Sequence, residues 1–136
     1  MKDLLTAIYG KISGSALSSD VGGRVYLDQA PDNTEFPYII FFIVSGVKNK
    51  TFSEIYTDAL IQFSIFSASS GAAEITTAYN DLVALFDECA LTIEGSTLVW
   101  MKEENLTTMV DDIIVADATV RVKHWAVDFA VLTSLD

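Results

Sequence analysis

YIIFFIVS, residues Tyr38–Ser45, and IYTDALIQFSIFS, residues Ile55–Ser67, are the stretches on which the fold turns. The first is almost wholly apolar and follows Pro37, a residue tolerated at the opening of a strand or on a sheet edge. Such a run fits a strand covered on both faces. The second alternates: Ala59, Ile61, Phe63 and Ile65 fall on one face, and Asp58, Leu60, Gln62, Ser64 and Phe66 on the other, the period of a pleated strand. The polar stretch Gly46–Glu54 joins them. The pair is expected to form an antiparallel hairpin with Lys48, Asn49 and Lys50 at its tip, a candidate docking loop.

On the N-terminal side, Leu4, Leu5, Ile8, Tyr9 and Ile12 recur at helical spacing, which predicts an amphipathic helix over Lys2–Ser13 that ends near Gly14. Val21-Gly22-Gly23-Arg24-Val25-Tyr26-Leu27 reads as a turn that feeds a short strand, and Ala30–Glu35 as a loop. On the C-terminal side, Ser69-Ser70-Gly71 offers helix-starting hydroxyls. Ile75, Tyr79, Leu82, Phe86 and Cys89 then form one helical stripe. Strands are expected at Leu91–Glu94, Thr97–Lys102 and Ala118–Leu132. In the last, Trp125, Val127, Phe129 and Val131 share a face, with a bulge near Lys123 or His124. The order is helix, three strands, helix, three strands. This describes one α+β domain spanning residues 1–136, with an antiparallel or mixed sheet and two helices packed on one face.

The 136 residues suffice for a core without disulfides, and 51% of them are hydrophobic. That richness leaves apolar surface over for subunit contacts. No apolar run reaches the roughly 18 residues of a membrane span, and the N-terminus lacks the apolar core of a secretory signal, so a cytoplasmic protein with no membrane partner is expected. The net charge of −11 argues against a nucleic-acid groove. Residues 1–68 carry five basic and seven acidic side chains, whereas residues 69–136 carry three basic and twelve acidic ones, so the negative surface belongs to the second half.

Chemistry is hard to build from these residues. Cys89 is the single cysteine, which rules out an intrachain disulfide, and its place in an apolar stripe reads as packing. His124 is the single histidine. Asp128 lies about 13 Å away along a strand, too far for a hydrogen bond. Glu103, Glu104, Asp111, Asp112 and Asp117 crowd a segment between two predicted strands, without the glycine and alternating ligands of a calcium loop. They read as a solvated acidic loop. Gly22-Gly23 is followed by a strand and by no Lys-Ser or Lys-Thr pair, so it is no phosphate loop. No catalytic, cofactor or metal site is expected, and the chain is not expected to be an enzyme.

Five stretches in order carry a resemblance: the N-terminal helix, Val21-Gly22-Gly23-Arg24-Val25-Tyr26, Phe36-Pro37-Tyr38-Ile39-Ile40-Phe41, Ile61–Ser67 leading into Ser70-Gly71-Ala72-Ala73-Glu74, and His124–Val131. Together they resemble the tail completion, or tail terminator, proteins of long-tailed bacteriophages, also described as head-to-tail joining proteins. Met101–Ala118 matches no pattern of that family. The resemblance implies a structural virion protein at the head-proximal end of the tail, assembled in the host cytoplasm. It implies a homo-oligomeric, typically hexameric ring that caps the tail tube and stops its polymerisation. Its expected partners are the tube protein and a head-side connector or adaptor, and DNA passes without specific binding. Part of the acidic set Glu103, Glu104, Asp111, Asp112 and Asp117 is then expected to face the channel, where negative charge repels phosphates. The other readings are a different neck ring component, and a small ligand-binding domain or hydrolase.

Overall fold

The computed structural model describes residues 2–51 and 54–136, apart from the Val115 side chain. Its elements are α1 (Lys2–Ile12), α2 (Ala16–Asp20), β1 (Val25–Leu27), β2 (Tyr38–Lys50), β3 (Ile55–Ser67), α3 (Ala73–Phe86), β4 (Thr92–Ile93), β5 (Ser96–Val115) and β6 (Ala118–Leu135). The strands form one six-stranded sheet in the order β1-β2-β3-β6-β5-β4. It is mixed, since β1 runs parallel to β2 while the other neighbours are antiparallel.

The predicted α+β class and the β2–β3 hairpin are therefore present, and period-two alternation explains the core. Ile39, Phe41, Ile61, Phe63, Ile65, Val127, Phe129 and Val131 all project from one face, here called the inner face. They share a single buried cluster with Leu4, Ile8 and Ile12 of α1, Leu17 of α2, and Ile75, Ala78, Leu82 and Phe86 of α3. Phe63 sits at its centre, stacked with Phe41 at 5.8 Å and Phe86 at 5.2 Å, and edge-on to Phe129 at 5.5 Å.

Several expectations need correction. There are three helices among the described residues, not two. α2 is too short to show a periodicity. It is set by Ser15, whose side chain accepts from the Ser18 N–H at 3.2 Å. α3 begins at Ala73 without a side-chain cap from Ser69 or Ser70, and Ser67 instead donates to Glu74 at 2.6 Å. Cys89 lies beyond the end of α3 but is still half-buried against the core. Burial pushes its thiol pKa up, an effect that the nearby Lys11 charge opposes.

The largest corrections concern connections. β2 continues to Lys50, so most of the expected Gly46–Glu54 loop is strand, and Phe52 and Ser53 of that loop lie outside the described residues. β5 continues to Val115, so the expected acidic loop is strand as well, closed by a turn at Ala116 and Asp117. β6 pairs continuously through Lys123 and His124 on both sides. The register shifts fall elsewhere, between Ile43 and Ser45 and between Leu98 and Trp100, with a third between Glu103 and Asn105.

Candidate interaction surfaces

The outer face of the sheet carries a row of stacked rings. Register places Tyr38 of β2 beside Phe66 of β3, and Phe66 beside His124 of β6. The ring centroids follow at 5.2 Å from Phe36 to Tyr38, 4.9 Å from Tyr38 to Phe66 and 4.3 Å from Phe66 to His124. His124 Nδ1 then lies 3.1 Å from Asp111 Oδ2. Asp111 pairs across the ladder with Val122, two residues from His124, which is the diagonal neighbour position of an antiparallel pair.

The partner is Asp111 and not Asp128, a contact that is not legible in the sequence because the segment holding Asp111 reads there as a loop. The pairing can hold an imidazole in one orientation, as catalytic triads do. A nucleophile is the missing part: among the described residues His124 Nε2 is buried without a hydrogen-bond partner.

Strand alternation divides the five acidic residues. Glu103 stands opposite Phe129 on the inner face, where the Tyr79 hydroxyl donates to its Oε2 at 2.5 Å. That hydrogen bond, with burial and the charges of Glu103 and Asp87, pushes the Tyr79 pKa up to about 12. Glu104 is the extra residue of the Glu103/Asn105 bulge and lines an outer groove of about 380 Å³ with Asp58 and Asp128. Burial raises the Asp128 pKa, partly offset by a hydrogen bond from Asn105. Asp111 faces His124, Asp112 lies 3.6 Å from Arg121, and Asp117 sits in the turn with φ of 65°. The five are thus neither a loop nor one cluster. Among the described residues no group of three or more His, Cys, Asp or Glu side chains is placed to hold a metal ion.

Lys48 and Lys50 belong to β2 and line a groove of about 600 Å³ with Asp3, Leu4, Glu94 and Leu135. Asn49 points the other way and donates to Asp58 at 2.7 Å.

Two further surfaces were not legible in the sequence. β3 ends at Ser67, opposite Lys123, but β5 and β6 continue past it from Asp111↔Val122 to Val115↔Ala118. This two-stranded arm overhangs the sheet by about 17 Å at ordinary strand rise. Lys123 Nζ anchors its base on the Ser69 carbonyl at 2.5 Å. Val110 is 61% and Ile114 75% exposed on the same side of the ribbon. On the β1 side, Leu5, Tyr9, Leu27 and Phe41 line an apolar groove of about 500 Å³ with Lys2 at its rim. Tyr9 and Leu27 remain 52% and 44% exposed.

Among solved structures, a chain described as "Virion of native gene transfer agent (GTA) particle" superposes with a TM-score of 0.79 at 16% identity, covering 98% of this chain and 96% of that one. A second solved chain, without a functional description, superposes at 0.57 with 13% identity over 96% and 94%. At such identities the likeness is one of fold. No curated protein matches the sequence. The family described as "Tail completion protein gp17" matches residues 6–134, nearly the whole chain, and the protein belongs to that family.

Proposed function

We propose that the chain forms a ring, of six copies, on the end of a phage tail tube, where it stops tube polymerisation and presents the surface that receives the filled head. Membership of the tail completion family makes it a structural protein of the phage tail or neck. The observation that carries the finer reading is the opposition of the two hairpins. β2–β3 closes at the end of the sheet marked by Lys50 and Ile55, whereas β5–β6 closes at the other end, beyond Ser67. One subunit thus offers two different ends, with Lys48 and Lys50 beside Asp3 and Glu94 at one and Asp111, Asp112 and Asp117 with Arg121 at the other, as a joint between two unlike structures requires. A closed ring also needs two different lateral patches on each subunit.

In this reading the outer face, with Asp58, Glu104 and Asp128 around one groove, lines the channel and repels passing DNA. Glu103 stands apart from that groove, bonded to Tyr79 on the inner face. The virion location is the head-proximal end of the tail, and the tube protein and a head-side adaptor are the axial partners. The protein acts without catalysis.

Deleting the gene and imaging the particles tests the function. Overlong tail tubes are expected. Tubes of normal length beside tailless or leaking heads would instead assign the chain to a neck adaptor.

A further inference from the structure

The arm and the apolar groove are both incomplete as they stand. A two-stranded ribbon is marginally stable in water without a third strand or a packed face. This one leaves Val110 and Ile114 uncovered, separated by the exposed Asp112–Arg121 pair. The groove of Leu5, Tyr9 and Leu27 is lined almost wholly by apolar side chains. The two surfaces belong to different parts of the sheet, the arm to the β5–β6 hairpin and the groove to α1 and the β1 edge. Isologous pairing is therefore not needed to cover either of them, and a head-to-tail contact covers both.

We infer that the arm of one copy docks on the next copy of the same chain, with Ile114 seated in the groove between Leu5, Tyr9 and Leu27. The proposal rests on the ring reading and names its lateral interface. A second copy is the occupant because the two partners match in size and charge. A groove of about 500 Å³ accommodates a branched aliphatic side chain with its neighbours. Asp117 lies three residues beyond Ile114 in the turn of the arm, where Asp112 is already paired with Arg121, and Lys2 is among the residues that line the groove. The contact is heterologous, so repetition around an axis closes a ring. Burial of the exposed aliphatics supplies the attraction, and the opposite charges set the approach.

The test uses the full chain with Cys89→Ser, which removes the native thiol, and adds Ile114→Cys together with Leu27→Cys. Disulfide formation requires Cα atoms within about 7 Å, so oxidation at high protein concentration is expected to yield a ladder of linked multimers. A control chain carrying Val99→Cys with Leu27→Cys is expected to give at least tenfold less. Equal cross-linking in both, or none in either, overturns the docking. In parallel, Ile114→Asp and Tyr9→Asp, both at exposed positions, are read by light scattering and electron microscopy, with circular dichroism as the folding check. Each is expected to weaken association about tenfold or more, since a buried unpaired charge at an interface is costly. Folded variants that still form wild-type rings would overturn the arm contact and leave the ring reading standing. Cross-linking of the Ile114→Cys/Leu27→Cys chain through the arm, with no closed rings from the wild type, would do the reverse.

Discussion

The Tyr79 hydroxyl donates to Glu103 at 2.5 Å, which ties α3 to the middle of β5. The Glu103 backbone N–H completes the link by donating to Asp87 Oδ1, just past the end of α3, at 3.0 Å. An acidic side chain that composition alone assigns to a solvated surface is thus part of the joint between helix and sheet.

Tyr79→Phe removes that donor and is expected to cost about 1 kcal/mol, the usual net worth of such a bond. The pH dependence follows from the raised pKa. The native tyrosine holds its proton from the ordinary value of 10.0 up to about 12, so its contribution is complete below pH 10 and is lost as the pH rises through 12. Burial also raises the Tyr38 pKa, so an ultraviolet tyrosinate titration of the wild type is expected to show two late-ionising tyrosines of the five, and the variant to lose the one that ionises near 12.

Phe63 touches three other core rings, so Phe63→Ala is expected to destabilise the fold by about 3–5 kcal/mol. Urea unfolding followed by circular dichroism measures this. A loss below 1 kcal/mol would mean that the inner face is not packed as described.

Asp20 on α2 has its carboxyl pKa pushed up to about 6, first by burial and then by the hydrogen bond and charge of Asp81. Between 3.8 and 6 the native state holds a proton that the unfolded chain has released, so stability falls as pH rises through that window. The urea midpoint is expected to drop from pH 4.5 to pH 7, and Asp20→Asn is expected to shrink the drop. An unchanged slope in the variant would remove Asp20 as its source.

Cys89 is half-buried with a raised pKa, so little thiolate is available at neutral pH. Labelling by a disulfide reagent is expected to be at least tenfold slower in the native protein than in urea. Equal rates would place the thiol at the surface.

Where the sequence was legible, it was through periodicity. The alternation in Ile55–Ser67 and the helical spacing of Leu4, Ile8 and Ile12 each identify an element together with its buried face, because both depend on near neighbours along the chain. Glu103–Asp117 reads as a loop because Leu106, Met109, Val110 and the run Ile113–Val115 keep no steady period of two among its acidic residues. Only pairing with β6 shows it to be strand. α2 left no readable pattern, since five residues complete barely more than one helical turn.

The sequence by itself determined the α+β class, the inner face of β3 and of the second half of β6, and the resemblance to tail completion proteins, since local pattern and ordered motifs carry each of these. Tertiary structure alone decided the rest. Register across β5 and β6 set Asp111 against His124, sent Glu103 inward to Tyr79 and carried Ile114 out on an arm beyond Ser67. Cross-strand neighbours are fixed by hydrogen bonding between segments far apart in the chain, and a single bulge reverses which face the residues beyond it occupy.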